Sequence, residues 1–189
     1  CGTSFEADIK DEINLSENPE IIEQILNNNF MEFMCPACDK VLKPEYRIRF
    51  YNDDLDLMMI PEIERDSLLA GSIEIQSKQV VVGFQELREK FIILKYNYDD
   101  KIIELIKLFL LEKTDTKLDI KILFTKKEKE VLIFNIYGLR DGETGISKIP
   151  ESIYNSISSN LEERLKEPGI EELLSLPYRS VNTISTEVN

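Results

Sequence analysis

One turn restricts this chain more than anything else in it: Cys35-Pro36-Ala37-Cys38, in a sequence with three cysteines and no histidine. A Cys-x-x-Cys turn aims two sulfurs at one centre, and with no histidine, thiolates are the only usual nitrogen or sulfur ligands for zinc here. An odd cysteine count also fits poorly with a closed disulfide framework. In a reducing cell such a turn holds metal or does redox chemistry. The flanking pattern is strand, knuckle, strand, without the helix that backs a redox pair in a βαβ unit.

Zinc ribbons place two such turns at hairpin tips, so that four thiolates converge tetrahedrally. Cys35 and Cys38 make one complete knuckle. Cys1-Gly2 reads as the end of a matching turn whose first cysteine lies upstream, and the start at Cys1 reads as processed or trimmed. Cys1, Cys35 and Cys38 are therefore the expected metal ligands, with structural zinc as the metal. The site is expected to be incomplete or metal-free in this chain unless something outside it closes the fourth position. Asp39 stands where knuckles favour glycine, and aspartate tolerates the left-handed backbone better than most residues.

A strand is expected over Phe5, Ala7 and Ile9, and a capped helix after Asn18-Pro19-Glu20. Residues 30–34 read as a strand entering Cys35. Tyr46, Ile48 and Phe50 and then residues 55–60 read as a hairpin, with weaker strand signals at residues 73–75 and 80–82. From Phe84 the period becomes helical: Phe84, Leu87, Phe91 and Leu94, then a second helix from Asp99 with apolar residues nearly all round. Leu118, Ile120, Ile122 and Phe124 with residues 131–137 form a second hairpin. Gly138, Gly142 and Gly145 mark a loop. A helix over residues 150–167 follows, with Ile153, Ile157, Leu161 and Leu165 inward, then a short helix over residues 170–176. The fold class is α+β. The expected division is a β-rich zinc-ribbon-like lobe at residues 1–83, a helix-hairpin-helix lobe at residues 84–177 and a polar tail at residues 178–189.

The order Cys1-Gly2-Thr3-Ser4-Phe5-Glu6, Asn18-Pro19-Glu20, then Phe33-Met34-Cys35-Pro36-Ala37-Cys38 resembles the bacterial CpXC domain, named for two Cys-Pro-x-Cys motifs. Leu87-Arg88-Glu89-Lys90 and residues 99–107 are similar to it too. The resemblance covers roughly the first 110 residues and rests on motif, spacing and flanks together. It implies a metal site and no reaction.

Composition narrows the function. Apolar residues at 42% and charged residues at 31% suit a globular chain of 189 residues with a substantial core. A net charge of −13 argues against a nucleic-acid surface. No apolar run is long enough to span a membrane; the stretch from Ile102 to Leu111 is broken by Glu104 and Lys107. Without histidine, the Ser-His and Cys-His nucleophile systems are excluded. Asp53, Asp54 and Asp56 fail the EF-hand pattern at Met58 and read as a turn. Asp99-Asp100 reads as a helix cap, and the glycine stretch matches no phosphate motif. Arg47 and Arg49 share a strand face that could receive an acidic partner or nucleic acid, although such cations are more often solvated and paired with neighbouring acids.

The expectation is a cytoplasmic binding or adaptor module with a protein partner and a structural metal, with no recognisable catalytic set. Two alternatives stand beside it. One is a hydrolase or other enzyme with a carboxylate site between the lobes. The other is a lipoprotein anchored through Cys1.

Overall fold

The computed structural model describes residues 1–114, 120–167, 169–175 and 177–183. The architecture is α+β, and the chain divides into two compact units, Cys1–Arg88 and Glu89–Asn189.

In the first unit, a four-stranded mixed sheet runs in the order β1-β4-β5-β6. β1 is Glu12–Asn14, β4 Ile48–Tyr51, β5 Asp56–Ile60 and β6 Gln79–Val82. β4 and β5 form the expected antiparallel hairpin, with Phe50 opposite Leu57, while β1 joins β4 and β6 joins β5 in parallel. The Asn52 side chain closes the turn by accepting from the Asp54 and Leu55 amides, so the aspartates here shape a turn. Ile48, Phe50, Leu57, Met59 and Val82 are fully buried. Each such side chain contributes about 1.5–3 kcal/mol through removal from water.

Both parallel pairings require crossovers. The second runs through α2 (Arg65–Leu69). The first carries α1 (Glu20–Leu26) and then a two-stranded hairpin, β2 (Phe33–Met34) with β3 (Val41–Leu42), whose tip is the cysteine knuckle. Asn18 meets α1 through its backbone carbonyl, which accepts from the Ile21 amide; its side chain donates back to Asn14 instead of capping. Phe30 follows α1 and stacks edge-on against Phe50 and Phe84, fixing where the chain enters the hairpin.

Two strand expectations fail here. Phe5 is only half-buried, Ala7 and Ile9 are exposed, and residues 1–10 form no regular element. The pairing moves to β1, where Ile13 is buried and Leu15 follows it into the core. Residues 73–75 form no strand either; Ile73 and Ile75 stay half-exposed before β6 begins.

α3 (Gly83–Lys95) contains the division after Arg88, which falls later than the expected one after residue 83. In the second unit, α4 (Asp100–Leu111) starts at Asp99, whose side chain caps the Lys101 amide. β7 (Lys121–Glu128), β8 (Val131–Arg140) and β9 (Glu143–Pro150) form an antiparallel sheet in that order. β9 replaces the expected glycine loop. Arg140 pairs with Glu143 across Asp141-Gly142, with Gly142 at φ +72, so Gly142 sits in a hairpin turn while Gly138 and Gly145 lie within β8 and β9. Leu118 lies outside the described residues.

The helix expected over residues 150–167 is interrupted at Asn160, giving α5 (Glu151–Ser159) and α6 (Leu161–Arg164). Ile153 is exposed, and Ile157, Leu161 and Leu165 are half-buried, so this stripe is not core. α7 (Ile170–Ser175) follows, and Leu176 lies outside the described residues. Residues 178–183, expected within a polar tail, are packed: Tyr178, Ser180 and Val181 are buried. The Val181 amide donates to Glu104 Oε2, and Asn182 Oδ1 accepts from the Ile122 amide.

Candidate metal centre

Pairing of β2 with β3, Phe33 opposite Leu42 and Met34 opposite Val41, brings Cys35 and Lys40 to the two sides of a tight turn. The Cys35 amide donates to the Lys40 carbonyl at 2.9 Å, and the Asp39 amide returns to the Cys35 carbonyl at 3.0 Å. Asp39 takes φ +57, the left-handed conformation that the turn imposes where glycine was expected. Pro36 follows Cys35 with no amide to satisfy, leaving the amides of Ala37 and Cys38 to face the sulfur.

The three expected ligands come together. Cys1, Cys35 and Cys38 place their Sγ atoms within 4.8 Å of one another, and Cys1 Sγ lies 3.6 Å from Cys35 Sγ. Cys35 is buried, while Cys1 and Cys38 are exposed. The Ala37 amide, hydrogen-bonded to Cys35 Sγ, holds that thiol below its ordinary value against the opposing effect of burial; the Cys38 side chain and amide add to the lowering. Amide donation of this kind stabilises a thiolate and therefore a metal-ligating sulfur.

The donor set fits a soft divalent ion. Tetrahedral zinc–sulfur bonds of about 2.3 Å require sulfurs about 3.8 Å apart, close to the separation of Cys1 and Cys35. Three thiolates leave one tetrahedral position for a further ligand.

Residues 1–107 match the CpXC protein family over more than half of the 189 residues. The chain belongs to the CpXC family. A protein of Treponema pallidum (strain Nichols) named only as an uncharacterized protein is 25% identical over 212 residues, covering 97% of this chain and 96% of its own. No solved structure matches the chain.

Other residues weighed from the sequence have structural partners. Arg47 pairs with Glu64 at 2.6 Å, and Arg49 with Asp56 at 2.9 Å and Glu12 at 3.5 Å. Asp100 pairs with Lys90 at 2.7 Å. A buried charge cluster went unforeseen. Lys107, fully buried, bridges Glu104 at 2.7 Å and Glu89 at 3.1 Å, and Glu89 also accepts from the Phe124 amide. Its signal was in the sequence: two charges three residues apart in an otherwise apolar helix. Burial pushes the Glu89 carboxyl up to about 7; Glu104 adds to the rise, and Lys107 and the Phe124 amide oppose it.

Beside α4 and α5 lies an apolar cavity of about 350 Å³, lined by residues including Leu105, Phe109, Ile153 and Ile157. Neither Glu89 nor Glu104 lines it, and Arg164 at its rim is paired with Glu167 at 3.1 Å. Among the described residues, no helix is long and apolar enough to cross a membrane.

Proposed function

We propose that this CpXC protein is a zinc-held binding module in which Cys1, Cys35 and Cys38 ligate a structural metal. The observation that carries the reading is the convergence of three sulfurs from segments 34 positions apart onto one point. Chance burial of thiols does not require it. A knuckle with two-residue strands lacks the apolar area to hold itself, and metal binding supplies that folding free energy. Reduced thiolates suit the cytoplasm. A protein partner suits the surface of the hairpin, where Met34, Val41 and Leu42 are exposed on an acidic chain.

Metal analysis of the purified, reduced protein tests this. About one zinc per chain is expected, with a ligand other than these three cysteines at the fourth position, and Cys35→Ser should abolish it. A reduced chain that takes up no zinc would falsify the reading. Lipidation of Cys1 is the competing role for that sulfur, because a thioether there removes a ligand. Intact mass of the cell-derived protein decides between them.

A further inference from the structure

The three sulfurs differ in access and spacing in a way that gives the cluster a second chemistry. Cys1 is exposed and Cys35 is buried 3.6 Å from it, already near the separation at which two thiols react; Cys38 is exposed too, with its sulfur within 4.8 Å of both. Cys1 stands on residues 1–10, which form no regular element, so its sulfur can advance the remaining distance without breaking a strand. Cys35 is the opposite case, with its backbone amide and carbonyl both engaged in the turn. One solvent-facing sulfur beside one enclosed sulfur held in a turn is the pairing needed for oxidation followed by capture.

We propose that the site is a peroxide-responsive zinc switch, in which a hydroperoxide converts Cys1 and Cys35 into a disulfide and ejects the metal. The inference rests on the zinc reading above. Its steps balance. The Cys1 thiolate attacks one oxygen of the hydroperoxide, breaking the O–O bond to give a Cys1 sulfenic acid and an alkoxide or hydroxide, which takes a proton from water. The Cys35 thiolate then attacks the Cys1 sulfur, forming the S–S bond and expelling hydroxide. Two thiolates give up two electrons, and one peroxide is reduced. The disulfide withdraws two of the three converging thiolates, and a disulfide sulfur is a poor zinc ligand, so the metal leaves. A dithiol reductant reverses the step by exchange, regenerating both ligands.

The test uses the full chain loaded with zinc and treated with hydrogen peroxide. Released metal is read with a chromophoric chelator, and the cysteines are mapped by alkylation and peptide mass. The expected result is about one zinc freed per disulfide, a Cys1–Cys35 linkage, an alkylated Cys38, and recovery of zinc binding after dithiol reduction. Cys38→Ser supplies a readout free of the metal: it should still form the Cys1–Cys35 disulfide under peroxide. Zinc retained while thiols are oxidised overturns the switch and leaves the metal reading intact, as does a Cys35–Cys38 or interchain linkage. A reduced chain that never binds zinc overturns the metal reading and the release step together.

Discussion

At the scale of single residues, the knuckle depends on backbone as much as on sulfur. Asp39 holds φ +57 because the chain must reverse between Cys38 and Lys40, and a β-branched side chain resists that conformation. Asp39→Val is expected to lower stability by about 1–2 kcal/mol and to weaken zinc binding, whereas Asp39→Gly lowers neither. Denaturant titrations with and without zinc measure both effects. Equal losses for glycine and valine would mean that the aspartate side chain matters more than the turn. The site was legible at this scale because cysteine spacing is a statement about ligand geometry. The part that was not legible is the donor side: which amides face Cys35 depends on a turn conformation that residue identity only restricts.

At the scale of elements, the hairpin β4–β5 follows its alternating pattern because one face is fully buried, and a register slip would expose every core residue. Phe50 sits at its centre with no exposed surface and contacts Phe30. Phe50→Ala should cost about 3–5 kcal/mol in unfolding free energy. Ile153→Ala, at an exposed position on α5, should cost under about 1 kcal/mol. Comparable losses in the two variants would contradict the assignment of core and surface. Where the sequence misled, competing physics explains it. Phe5, Ala7 and Ile9 alternate correctly, yet too little apolar surface accompanies them to bury a strand. Gly138, Gly142 and Gly145 suggested a loop, although Asp141-Gly142 between extended segments is a two-residue hairpin signal that outweighs glycine content. Residues 178–183 look polar and nonetheless pack, because their backbone amide and an asparagine side chain are held by Glu104 and Ile122.

At the scale of the whole molecule, stability should depend on pH in opposed ways. Folded Glu89 titrates at about 7 against an ordinary value of 4.5, so the folded state keeps a proton there that the unfolded chain has released. Its contribution is complete below the unfolded value and is lost as pH rises through about 7, on the order of 3 kcal/mol. Asp56 and Asp100 act the other way. Asp56 is lowered by the Arg49 hydrogen bond; burial pushes Asp100 up, but Lys90 and Arg179 outweigh it. Their contributions are present above the ordinary aspartate range and lost in acid. Glu89→Gln should flatten the fall in unfolding free energy between about pH 4.5 and about pH 7, at constant zinc. An unchanged slope would place the titration elsewhere.

The crossover from β1 to β4 carries the knuckle inside it, and this has a kinetic consequence. Parallel pairing of such distant segments is slow, because the chain between them must close before any contact rewards it. A metal joining Cys1 to Cys35 shortens that path before the sheet exists, bringing Glu12 near the strand it will pair with. Zinc is then an assembly aid as well as a clamp, and refolding from denaturant should be faster with zinc than with a chelator.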